Sequence, residues 1–187
     1  MFLTSRPPRS AIAQFLERAA TMSLSYSPIG IARQKTVPGF RVDETSAVIG
    51  RGESDFARAL TALEAWEHMR LDWIEVVPDA ATIQSGTTVA VLARHLGCWS
   101  LNACRVVYTV EESTGVHSTF GFAYGTLHDH VESGEEIFQL SLDHRTGEVL
   151  YTIRAASRPH ALLVKLAQPL ARSLQRRFRR ESCDALR

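Results

Sequence analysis

The chain has 187 residues, 45% of them hydrophobic and 22% charged, with a net charge of +1. One domain of this size buries about 70% of its unfolded surface, enough for a sizeable core, and no window reaches the ~18 consecutive apolar residues of a membrane-spanning helix. Cys98, Cys104 and Cys183 are an odd number without CxxC spacing, which argues against a disulfide scaffold or zinc motif and fits a reducing, cytoplasmic setting.

The opening MFLTSRPPRS has no long apolar stretch and no small-residue cleavage site, so no secretory signal is expected. Residues 1–187 read as a single domain. Residues 8–20 read as a short amphipathic helix with Ile12, Phe15 and Leu16 on one side, and 21–39, holding Pro28, Gly30, Pro38 and Gly39, as an irregular link; together they form an appendage. A first strand spans Phe40–Ile49. Gly50-Arg51-Gly52 then turns the chain into a helix over Glu53–Arg70, where Phe56, Leu60, Leu63 and Trp66 make one apolar stripe.

Six strands follow, over Trp73–Val77, Thr87–His95, Ala103–Glu111, Ser118–Leu127, Glu136–Asp143 and Glu148–Ala156. Turn residues separate them, Ser133-Gly134 among them, and connections this short favour antiparallel hairpins. Val106, Tyr108 and Val110 are expected to share one face. In the fourth of these strands Phe120, Phe122 and Tyr124 take one face, and Gly121, Ala123 and Gly125 the other. Two strand glycines on one face imply that something approaches the backbone closely, with a packed helix a simpler reading than a ligand.

The last element is a helix over 158–182, capped by Ser157, with Pro159 in its first turn. Leu163, Leu166, Leu170, Leu174 and Phe178 form its buried stripe, and Pro169 is expected to kink it. Residues 158–187 carry a net charge of +6, concentrated in Arg172, Arg176, Arg177, Arg179 and Arg180, so residues 1–157 sum to −5. The simpler reading of this run is the solvated face of a surface helix; no nucleic-acid partner is expected. Strand, helix, six antiparallel strands and long terminal helix together satisfy an α+β helix-grip fold, a curved sheet of about seven strands wrapped on the C-terminal helix.

Several segments together resemble the DUF1990 family, also called UPF0548, whose function is uncharacterised. They are Tyr26-Ser27-Pro28-Ile29-Gly30, Gly50-Arg51-Gly52 with Phe56, Ala59 and Trp66, Gly86-Thr87-Thr88-Val89, and the run from Trp99 to Tyr108. Gly121 to Leu127 (GFAYGTL) followed by Gly134-Glu135-Glu136, then Ser157-Arg158-Pro159 and Gln175-Arg176-Arg177-Phe178, complete the set, covering residues 10–185. The chain departs from the family pattern after Leu127. His128-Asp129 stands where Pro-Gly is usual before the histidine, and Val131 where Pro or Ala is usual, so a less rigid turn is expected. The resemblance implies the START-like, or Bet v 1-like, superfamily, whose members often hold hydrophobic ligands between sheet and terminal helix.

His128, His130, Glu132, Glu135 and Glu136 form the one dense cluster of acid/base or metal-ligating groups. They read as one hairpin turn without helical spacing, and a polar loop satisfying its own backbone through His130 and Glu135 is simpler than a site. No metal or cofactor is expected. Gly50-x-Gly52-x-x-Asp55 lacks the third glycine of a dinucleotide loop and reads as a helix start. Arg105 and Arg154 interrupt apolar strands and count as outward-facing.

The expected function is binding of a small hydrophobic molecule between the sheet and the terminal helix. Tyr108, Phe122, Tyr124, Phe138 and Tyr151 would form its walls, with His130 and Glu135 at the mouth. One alternative is an enzyme using His130 with Glu135 or Glu136; another is an interaction or membrane-surface module using the basic C-terminus. Oligomeric state has no signal in the sequence.

Overall fold

The computed structural model describes residues 2–159 and 168–187. Among these, eight strands form one sheet: β1 (Phe2–Leu3), β2 (Arg41–Arg51), β3 (Ile74–Val77), β4 (Thr88–His95), β5 (Cys98–Ser113), β6 (His117–Thr126), β7 (Glu132–Asp143) and β8 (Glu148–Pro159). The spatial order is β2-β8-β7-β6-β5-β4-β3, with every neighbour antiparallel, and β1 pairs with β5 at Trp99 and Ser100. Among the described residues three α-helices accompany it: α1 (Arg9–Ala20), α2 (Gly52–Glu64) and α3 (Gln168–Asp184).

The inner face of this curved sheet packs on α2 and α3. Leu63, Trp66, Phe122, Phe138, Tyr151, Cys183 and Leu186 are buried together there, with Leu174 and Phe178 of α3 against them. This is the helix-grip arrangement that the element order implies.

Several boundaries differ from the sequence reading. The second helix stops at Glu64, because Trp66 takes a left-handed conformation (φ 62°) and a 3₁₀ turn, Glu67–Met69, follows. That backbone state costs a non-glycine residue roughly 1–3 kcal/mol. The Trp66 ring offsets it: it is 1% exposed, meets Phe122 edge-on at 4.9 Å and donates from Nε1 to the Ala81 carbonyl at 2.8 Å. Ser157 and Pro159 continue β8 instead of capping a helix. The terminal helix is described from Gln168, so the expected kink at Pro169 and the side chains of Leu163, Leu166 and Leu170 lie outside the described residues.

The outer face is covered as well. Ile12, Phe15 and Ala19 of α1 pack on Ala90, Leu92, Leu101 and Ala103, while Tyr26, Ile31 and Ala32 of the link pack on Ala123, Ile137 and Ala156. Arg105 and Arg154 point away from the inner face, as counted, but they are not simply solvated. Arg105 donates to the Ala19, Ala20 and Met22 carbonyls at 2.9–3.0 Å, capping the C-terminus of α1. Arg154 donates to the Ala32 carbonyl at 2.6 Å and the Gln34 carbonyl at 2.7 Å, and pairs with Glu44.

The close approach implied by the β6 glycines comes from neither a helix nor a ligand. A Cβ on Gly125 would lie 2.4 Å from the Tyr26 hydroxyl and 2.9 Å from Leu24 Cδ2, so the link itself occupies that space. On Gly121 it would lie 2.6 Å from the Phe138 carbonyl of the adjacent strand. Gly125→Ala is therefore expected to destabilise the fold by about 1–3 kcal/mol through overpacking. Gly115→Ala, whose Cβ meets nothing within 4 Å, should stay within about 0.5 kcal/mol. Urea unfolding of the two variants checks the pair.

Candidate functional site

The acidic, histidine-bearing segment is a short turn followed by a strand. Residues 128–131 make the turn and β7 already begins at Glu132. Successive strand side chains alternate between faces, so Glu135 and Glu136 part company. Glu136 pairs in register with Tyr124 and Ala155 and faces inward; Glu135 pairs with Gly125 and Ala156 and faces the link.

Glu135 is 2% exposed and accepts four hydrogen bonds: Tyr26 Oη at 2.7 Å, Tyr108 Oη at 2.7 Å, Gly30 N at 2.8 Å and Ala32 N at 3.3 Å. Burial, followed by this carboxylate, holds both tyrosine hydroxyls well above their ordinary pKa. Arg33 stacks over the Tyr108 ring at 4.1 Å. The carboxylate fastens the link, and Glu135 is at the same time among the residues that line the cavity between the sheet and α3.

Tyr108 was expected on the same face as Val106. A bulge in β5 shifts the register between these two residues, and one extra residue inverts the alternation. Val106 therefore lies in the inner core while Tyr108 packs on the outer side.

Between the inner face and α3 lies a cavity of about 560 Å³. Met69, Trp73, Ile74, Val91, Leu174 and Phe178 supply apolar wall, and Asp43, Tyr124, Glu132, Glu136 and Arg179 supply polar groups. Of the five expected wall residues, Tyr124 lines this space. Phe122, Phe138 and Tyr151 are fully buried in the core and are absent from the described lining. His130 reaches the lining, with its Nδ1 accepting the Glu132 backbone N–H at 2.9 Å.

Tyr124 Oη donates to Glu136 Oε2 at 2.8 Å. Burial pushes the Glu136 carboxyl up to about 7, a rise opposed by the Tyr124 hydroxyl and Arg179 and increased by Glu132. Glu132 is itself shifted upward by burial and by Asp43, and accepts from Gln175 Nε2 at 3.4 Å. Arg179 lies 4.0 Å from Asp43. The basic run of the terminal helix is thus not one solvated face: Arg179 turns inward, and Arg177 stacks on Trp73 at 4.8 Å while bonding Glu181.

His68 has no counterpart in the sequence reading. Its ring is 0% exposed, 5.8 Å from Trp66 and 4.7 Å from Phe138, and neither nitrogen has a hydrogen-bond partner among the described residues. Burial pushes its pKa down to about 3. Asp43, Trp73 and Arg179 were also missed as site residues, because only the packing of distant elements brings them together. Among the described residues no three His, Cys, Asp or Glu side chains gather as a metal ion would require.

Residues 25–185 match the profile of a domain of unknown function, DUF1990. The chain belongs to the DUF1990 family. It is 30% identical over 203 residues to a UPF0548 protein of Dictyostelium discoideum, covering 100% of this chain and 94% of that one. A UPF0548 protein of Deinococcus radiodurans is 34% identical over 189 residues, covering 95% and 92%. Among solved structures, the hypothetical protein jhp0584 from Helicobacter pylori superposes with a TM-score of 0.57 at 8% identity, covering 89% of this chain and 97% of that one, a likeness of fold alone. Within this DUF1990 chain, three of the segments that carry the resemblance meet at one point. Tyr26 and Gly30 of the first bond to Glu135 of GEE, and Gly125 of GFAYGTL leaves room for the Tyr26 ring.

Proposed function

We propose that this chain binds a small, largely apolar molecule in the cavity between the inner face and α3, with its polar end at the Tyr124–Glu136 pair. The cavity itself carries the reading. At about 560 Å³ it falls within the roughly 300–1,000 Å³ of small-molecule sites, and its apolar walls with a few polar groups are the usual makeup of such sites. Among the described residues no helix is long and apolar enough to cross a membrane.

The test is binding of an apolar fluorescent dye to wild type and to Ala93→Phe, which fills part of the lining. Wild type should bind and the variant should bind at least about tenfold more weakly, a loss of about 1.4 kcal/mol, while a parallel thermal melt confirms that it folds. The reading fails if wild type takes up no dye and native mass spectrometry of protein from its own source finds no retained molecule.

A second reading, proton-transfer catalysis, is favoured by Glu136, a carboxyl that titrates near neutrality beside a tyrosine hydroxyl. It replaces the pairing of His130 with Glu135, whose carboxylate is engaged on the other face. A retained molecule that changes mass with wild type but not with Glu136→Gln would favour catalysis; one returned unchanged by both would favour binding.

A further inference from the structure

Charge and hydrogen-bonding capacity in the cavity are both one-sided. Of the four acidic residues in the described lining, Glu135 gives its carboxylate to Tyr26 and Tyr108, and the other three, Asp43, Glu132 and Glu136, share one guanidinium, Arg179. Arg179 lies within ion-pair distance of Asp43 and acts on Glu136 from farther away, so neither Glu132 nor Glu136 has a direct ion pair with a described residue. Acceptors are also in excess. Glu136 receives one hydrogen bond, from Tyr124, and Glu132 a long one from Gln175 besides. Asn102, 6% exposed and opposite Val91 in the sheet register, is not itself a lining residue but lies behind the wall on the same inner face as Val91 and Ser100, donating from Nδ2 to Ser100 Oγ. Its Oδ1 is buried with no partner among the described residues.

Buried acceptors and carboxylates are costly without donors. A ligand with an acidic head would add acceptors and negative charge to a place that already has too many. An ammonium group brings up to three donors, no acceptor and the missing positive charge. We propose that the ligand of this cavity is an amphipathic amine, its ammonium held by Glu132 and Glu136 and its apolar body packed on Trp73, Leu174 and Phe178. The inference rests on the cavity reading above and adds the ligand's chemical class. Besides Tyr124, the other titratable residues of the lining are Asp43 from β2, His95 from β4, Cys98 from β5, His130 from the turn before β7, Glu135 from β7 and Arg179 from α3.

The experiment compares octylamine, octanol and octanoate, which share one chain and differ in head group, by calorimetry at pH 8. Octylamine should bind at least about tenfold more tightly than the other two, as expected when charge-assisted hydrogen bonds worth about 1.5–3 kcal/mol are gained. Glu136→Gln and Glu132→Gln should each weaken octylamine about tenfold and octanol less than about threefold. Using both variants keeps the test usable if one fails to fold. Octanol or octanoate binding as tightly as octylamine overturns the amine assignment and leaves the cavity reading standing. Failure of all three, and of the dye, overturns both.

Discussion

Glu135→Ala is expected to lower stability by about 3–5 kcal/mol and the thermal midpoint by about 10 °C. The substitution removes the acceptor of two tyrosine hydroxyls and two backbone N–H groups in a place that is 2% exposed. Each donor left without a partner there costs about 1–3 kcal/mol, softened where a hydroxyl can swing toward water. Tyr108→Phe deletes one donor and leaves the carboxylate three others, so it should cost only about 1–2 kcal/mol. Urea and thermal unfolding of both variants read the difference directly. A loss under about 1 kcal/mol for Glu135→Ala would mean that the link is held by its apolar contacts and that the carboxylate contributes little.

The second large effect is on the pH dependence of stability. His68 has a folded pKa of about 3 against an ordinary 6.5. The unfolded chain gains the proton first on acidification, so stability falls as pH drops from 6.5 toward 3. Glu136 works in the opposite sense, with a folded pKa of about 7 against 4.5. Its contribution is intact below 4.5 and is lost as pH rises through 7. The Glu136 shift corresponds to about 3 kcal/mol. Between 4.5 and 6.5 the two effects oppose each other, so wild type should have a broad stability maximum there. Glu136→Gln removes the alkaline loss, and its stability should keep rising up to pH 6.5 and then hold, ending about 2–3 kcal/mol above its relation to wild type at pH 4. Urea titrations of both proteins at pH 4, 5.5 and 8 check this; parallel curves at all three would place the Glu136 carboxyl at an ordinary pKa.

The element order was legible because period-two runs such as Val149, Tyr151 and Ile153, and the helical stripe of α2, are properties of neighbouring residues. Three things were not. The bulge in β5 adds one residue between Val106 and Tyr108, and nothing in that apolar run marks it, so a correct strand gave the wrong face for Tyr108. Ser133-Gly134 reads as a turn by composition, yet Thr126 Oγ1 accepts the Gly134 N–H at 2.8 Å and donates to its carbonyl at 3.1 Å, holding it in β7. Glu135 and Glu136 thereby became strand neighbours on opposite faces. The cavity wall depends on Trp73, Arg179 and Asp43 meeting from three elements, and no local spacing carries that.

Glu135 and Glu136 are joined by a single peptide bond. The first is gripped from outside by four hydrogen bonds; the second waits in the cavity. On the binding reading proposed above, a molecule docking against Glu136 would meet a strand that is braced from behind and has little room to recoil. The polar end of the cavity would then be set in place beforehand, and little of the free energy of docking would be spent on rearranging it. Loosening the outer fastening, even with every lining side chain intact, should then show first as weaker docking inside.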